Sequence, residues 1–123
     1  MLDGLLDPLR WERTLSNMGP FWEGWAFTLK VVLAGLALSL ALGTLLGVFS
    51  TTRSKVLRAI SRVYVEFYQN TPLPVQVFFM YTAGPQVLQA ITGAASPVRI
   101  APFALGVLGV GLYHAAYVSE VIR

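Results

Sequence analysis

Three stretches of this sequence carry no Asp, Glu, Lys or Arg: residues 31–52, 67–98 and 100–119, together 74 of 123 residues. A chain this short that folded in water would have to cover so much apolar surface with very few polar groups, and a small domain has too high a surface-to-volume ratio for that. Only 12% of the residues are charged and 55% are hydrophobic, against about a quarter and about half, with glycine counted, in soluble domains. The reading is an all-α integral membrane protein.

The same arithmetic closes other classes. There is no cysteine, so disulfides, thiolate metal sites and thiol nucleophiles are out. The single histidine, His114, cannot form a metal cluster alone. The net charge of +3 does not point to nucleic acid, because the basic residues flank the apolar runs, as membrane topology requires. Residues 1–8 hold Asp3, Asp7 and Pro8 with no basic region, unlike a secretory signal.

Residues 31–49 supply 19 uncharged residues, enough at ~1.5 Å each to cross a hydrocarbon core of ~30 Å. Trp22 and Trp25 precede them as interfacial aromatics would, and Lys30 can snorkel outward. Gly35, Ser39, Gly43 and Gly47 recur at i+4, a small-residue stripe that lets a second helix approach closely. Gly111, Ala115 and Ser119 repeat the pattern in the third run, whose other glycines, Gly106 and Gly109, also read as packing positions. Between them, Pro72 and Pro74 suit a helix start with Asn70 or Thr71 as cap, but residues 72–84 alone give only about 20 Å of helix. That span must draw on flanking residues, with a kinked entry near residues 70–74. Residues 86–98, with Gly93, Ser96 and Pro97, read as an aqueous loop. The expected spans are about 23–50, 68–90 and 100–119, after an external segment 1–22.

Arg53, Lys55, Arg58 and Arg62 stand without an acid between the first two spans, whereas Arg10 and Arg13 are offset by four acids. The basic loop is therefore cytoplasmic and the N-terminus outside. After Ser54, the residues Val56, Ile60, Val63, Tyr64 and Phe67 share one helical face and Lys55, Arg58 and Arg62 another. This predicts a basic amphipathic helix at the membrane surface, beyond its value as a topology signal.

The run Glu66-Phe67-Tyr68-Gln69-Asn70-Thr71-Pro72-Leu73-Pro74-Val75-Gln76-Val77-Phe78-Phe79 resembles a segment of permease subunits from polar amino-acid ABC importers, often E-x-F-R-G/N-T-P-L-L-V-Q-x-F-F. Residues 111–123, from Gly111-Leu112-Tyr113-His114 to Val121-Ile122-Arg123, are similar to the family's L-Y-x-S-A-Y-x-A-E-x-x-R segment. Gln69 and Pro74 depart from the commoner Arg and Leu. The resemblance covers about residues 25–123 and implies the first three spans of a longer bundle in the bacterial cytoplasmic membrane. It implies alternating access for a polar amino acid and no catalysis or cofactor in this chain. ATP and Mg would act in partner ATP-binding subunits, with a second permease subunit, an extracytoplasmic substrate-binding protein and membrane lipid as the other partners.

Asn70, Thr71, Pro72 and Gln76 surround a helix N-terminus. Its free N–H groups suit a substrate carboxylate, and they serve equally as a local cap. His114, inside a span, reads either as a path residue or as a neutral histidine satisfied by its neighbours. Glu120 and Arg123, at i+3, either pair on the surface or, as the resemblance implies, lead toward the ATPase-coupling region. A rival from another class is a small non-transporting anchor that docks partner helices through the small-residue stripes. No constellation for an enzyme is present.

Overall fold

The computed structural model describes residues 3–123 and is built of helices, with no strand among the described residues. It divides into two compact units, residues 1–30 and 31–123. Six helices follow in chain order: α1 (Pro8–Ser16), α2 (Gly19–Thr51), α3 (Lys55–Asn70), α4 (Leu73–Thr82), α5 (Gly84–Thr92) and α6 (Pro102–Ile122).

In the first unit, α1 starts at Pro8, whose fixed φ and missing N–H suit a first turn. The Asp7 carboxylate accepts the Leu9 N–H at 3.1 Å and caps it. The Trp11 indole N–H folds back onto the Leu5 carbonyl at 2.6 Å. The unit also holds the start of α2, where Phe21, Trp22 and Trp25 are more than half exposed.

The second unit is organised by α2 and α6, the two helices long and apolar enough to cross a membrane. The buried residues of α2 are Gly35, Ser39, Gly43, Leu46 and Gly47, and those of α6 include Gly109, Gly111, Ala115, Ala116 and Ser119. The two sets meet. A Cβ placed on Gly43 would lie 2.6 Å from the Val118 Cβ and 2.8 Å from the Ala115 carbonyl oxygen. One on Gly47 would lie 2.8 Å from Ile122, and one on Gly111 2.6 Å from Leu38. Small residues every four positions put the bare backbone of each helix against side chains of the other, and the contact is made of dispersion rather than large apolar volumes.

Helix α3 is capped by Ser54, whose Oγ accepts the Leu57 N–H at 3.4 Å. It then lies on this pair through a face of Leu57, Ser61, Tyr64, Val65 and Tyr68. Ser61 Oγ donates to the Leu46 carbonyl at 2.8 Å and Tyr64 Oη to the Leu112 carbonyl at 2.7 Å. The sequence reading grouped Tyr64 with the apolar residues Val56, Ile60, Val63 and Phe67. Those four are 50–68% exposed, while Tyr64 turns away to find its acceptor. The cause is the phenol hydroxyl, which needs a partner wherever the ring is covered. Burial, with Tyr68 alongside, accordingly pushes the Tyr64 phenol well above its ordinary range.

Helix α4 packs on α6 at Gly109, where an added Cβ would lie 2.7 Å from Val77. The stretch read as an aqueous loop from residue 86 is helical as far as Thr92. Pro85 occupies the first turn of α5, and Gly93 ends it at φ +68°, its N–H bonded to the Gln89 carbonyl at 2.9 Å. These are the ordinary punctuation of a short helix, proline at the start and a left-handed glycine after the end. Residues 93–101 remain irregular.

Gly43→Ala should therefore force α2 off α6 and destabilise the chain by about 1–3 kcal/mol. Gly24→Ala, with nothing within 4 Å of the new methyl group, should be neutral or stabilise by up to about 1 kcal/mol. Thermal unfolding of the two variants in detergent checks both expectations.

Candidate functional site

The break between α3 and α4 is written by two prolines. In a continuous helix the Tyr68 carbonyl would accept the N–H of residue 72 and the Asn70 carbonyl that of residue 74, but both positions are proline and have no N–H. The helix stops at Asn70, Thr71 adopts an extended conformation (φ −112°, ψ 126°), and α4 begins at Leu73.

One side chain closes the gap. Gln76, one turn into α4 and 5% exposed, donates from Nε2 to the Tyr68 carbonyl at 3.3 Å and to the Thr71 carbonyl at 3.0 Å. Its backbone N–H goes to the Pro72 carbonyl at 3.2 Å. The amide thus supplies at Tyr68 the donor that Pro72 lacks. Because both neighbours are carbonyls, the NH₂ group must face them. The other amide atom, Oε1, is buried without a partner. Thr71 Oγ1 donates back to the Phe67 carbonyl at 2.8 Å rather than capping α4, and α4 has no side-chain cap at all. Asn70 is exposed. The result is an uncapped helix N-terminus, carrying the positive end of its dipole, beside a buried, unpaired acceptor.

His114 does not join this group. Its Nδ1 lies 2.8 Å from the Val110 carbonyl of its own helix, and a carbonyl can only accept, so Nδ1 carries the proton and Nε2 is left as acceptor when the ring is neutral. The ring packs edge-on to Tyr113 and faces a groove of about 550 Å³ shared with Ser39, Tyr117 and Val118. Tyr113 and Tyr117 share a hydroxyl–hydroxyl hydrogen bond of 3.0 Å. Glu120 and Arg123 form a partly exposed pair at 3.5 Å. Gly35, Ser39, Gly43, Gly47, Gly111 and Ala115 lie in the α2–α6 contact.

Sequence reasoning passed over Ser61 and set Tyr64 on the apolar face, whereas the two fix α3 to α2 and α6. A serine in the middle of an amphipathic helix, off both its apolar and its basic faces, is the one signal that was available for the first.

The arrangement is that of a helical membrane protein with a polar break in an apolar segment, and the comparisons with known proteins give its kind. Over 101 residues the chain is 34% identical to the putative glutamine transport system permease protein GlnP of Rickettsia prowazekii, a match covering 82% of this chain and 43% of that protein. It is 34% identical over 96 residues to the probable amino-acid ABC transporter permease protein PatM of Vibrio harveyi, covering 78% of this chain and 40% of the relative. With the glutamate/aspartate import permease protein GltJ of Escherichia coli it shares 28% identity over 112 residues, 88% of this chain and 46% of the relative. No family model and no solved structure matches. The chain is homologous to amino-acid ABC transporter permeases across most of its own length, and it spans less than half the length of these three relatives.

Gln76→Ala should leave the Tyr68 and Thr71 carbonyls without their donor, costing about 1–3 kcal/mol and speeding hydrogen exchange of the first amides of α4. Gln76→Glu should be worse at neutral pH, where a carboxylate offers no donor, and should recover in part in acid, where the protonated form offers one. Exchange followed by mass spectrometry at two pH values reads both.

Proposed function

We propose that this chain is part of a permease subunit that carries a polar amino acid across the bacterial cytoplasmic membrane by alternating access. The single observation that carries the reading is the similarity to amino-acid permeases over about four-fifths of the chain. The polar break at residues 70–76 gives it a physical basis, since interrupted helices present N–H groups and unpaired polar atoms to substrates at membrane depth.

In this reading α2 and α6 form the first and third crossings. The second, about residues 68–90, runs through α4, which at 10 residues makes about 15 Å of helix and needs its flanks to cross. α3 enters from the cytoplasmic surface at Lys55 and Arg58 and runs inward along α2 and α6, its Tyr64 reaching Leu112 within the third crossing, and the N-terminus lies outside. Asn70, Thr71, Pro72 and Gln76 would border the substrate path, with the α4 N-terminus receiving the substrate carboxylate and Gln76 Oε1 accepting from its ammonium. His114 would line the path farther inward. Glu120 and Arg123 would lie toward the coupling region. Separate ATP-binding subunits would supply ATP and Mg chemistry, with a second permease subunit and a substrate-binding protein completing the importer. The anchor reading leaned on the small-residue stripes, and these are occupied inside the chain, α2 against α6.

Membrane vesicles holding the permease subunit that contains this chain, with its second permease subunit and cognate ATP-binding subunits, should take up labelled glutamine or glutamate only when ATP and binding protein are supplied. Assembly of the complex without uptake would favour the anchor. A cysteine at Ser54 should be labelled by an impermeant maleimide only from the cytoplasmic side, and one at Ser96 only from outside.

A further inference from the structure

Two of the three faces of α3 are exposed among the described residues, and these differ in chemistry. Val56, Ile60, Val63 and Phe67 form one stripe and are 68, 50, 66 and 59% exposed. Beside it, Lys55, Arg58 and Arg62 look into a cleft of about 680 Å³, whose far wall is made by Ser50 at the end of α2 and by Glu120 and Arg123 at the end of α6.

Charge in the cleft is not balanced. Arg62 is paired with Glu66 at 3.1 Å and Arg123 with Glu120 at 3.5 Å, whereas Lys55 and Arg58 have no carboxylate within 4 Å among the described residues. Two cations thus face a cavity with no protein anion for them, next to an apolar strip that water solvates poorly. The cleft also lies where the two membrane-length helices end, the depth at which a lipid headgroup meets its acyl chains.

We propose that this cleft binds the phosphodiester of an anionic phospholipid of the inner leaflet, with Lys55 and Arg58 on the phosphate and an acyl chain along Val56, Ile60, Val63 and Phe67. Basic pockets between membrane helices on the cytoplasmic side favour such headgroups, and a basic helix with an apolar flank adds chain burial to charge attraction. The proposal rests on the membrane placement given above, but not on transport. A free phosphate offers the same oxygens and lacks the chain, so only the lipid uses both faces.

The test reconstitutes the chain in phosphatidylcholine nanodiscs doped with phosphatidylglycerol and counts retained lipids by native mass spectrometry. Phosphatidylglycerol should be enriched over its bulk fraction. Lys55→Gln with Arg58→Gln should lower that enrichment about fivefold for each charge removed, while Lys55→Arg with Arg58→Lys should keep it. Ile60→Ser with Val63→Ser should weaken lipid retention without changing the binding of inorganic phosphate. Equal retention of the two lipids by the wild-type chain overturns the proposal, as does full displacement of phosphatidylglycerol by inorganic phosphate at matched concentration. Extraction of the chain from membranes by alkaline carbonate is the separate control. A chain that resists extraction yet shows no lipid preference defeats the headgroup site alone, and one that is extracted defeats the membrane placement beneath it.

Discussion

The contact of α2 with α6 along Gly35, Ser39, Gly43 and Gly47 is the constraint on which the second unit depends. Between helices that are apolar all round, burial from water gives no direction to packing, because lipid solvates leucine as well as a neighbouring helix does. What selects one face is how near two backbones can come. At Gly43 the space for even a methyl group is taken by Val118 and the Ala115 carbonyl, so the approach is set by the main chain itself. The remaining helices are laid on that seam. Ser61 of α3 reaches the Leu46 carbonyl beside Gly47, and Tyr64 reaches the Leu112 carbonyl beside Gly111. Each polar side chain takes an acceptor that only a closely packed small-residue surface leaves within reach.

This explains which parts of the structure were legible beforehand. A stripe of period four is a local property of the sequence, and the same four residues are found buried in α2. The proline pair likewise locates a break, because a missing N–H needs no tertiary context. Which side chain heals the break was not legible, since any donor one turn along would read the same until the chain fold shows that the Gln76 amide spans back to Tyr68. The misread loop has a different cause. Pro85 and Gly93 are helix boundary signals and turn signals alike, and the nine residues of α5 are too few for periodicity to decide between them. The face of α3 that touches protein was hidden because three of its five members, Ser61 and the two tyrosines, are neither plainly apolar nor plainly charged.

Both halves of the chain's polar chemistry follow one rule: polar groups at apolar depth are paired unless something outside the chain is meant to pair with them. His114 satisfies itself on Val110, Ser39 and Thr82 donate to carbonyls of their own helices, and Thr71 donates to a carbonyl in the last turn of α3. Against that background, Lys55 and Arg58 in the basic cleft and Gln76 Oε1 stand out among the described residues, while the start of α4 lacks a side-chain cap, as do those of α5 and α6.

Gln76 shows why this position requires an amide rather than any polar residue. A serine hydroxyl is too short to reach back over the prolines. A lysine could donate to both carbonyls but would leave a charge in a buried place, at a cost that only an anion could offset. A glutamate would set negative oxygens against carbonyl oxygens. An amide alone offers two neutral donors on one nitrogen and still presents an acceptor on the other side. The same group can therefore hold the break closed and remain available to a donor from outside. Because the two roles share one planar group, a ligand that pulls on Oε1 turns the NH₂ that ties Tyr68 and Thr71. In the proposed reading, a ligand in the path would therefore act on the angle between α3 and α4 through this single side chain.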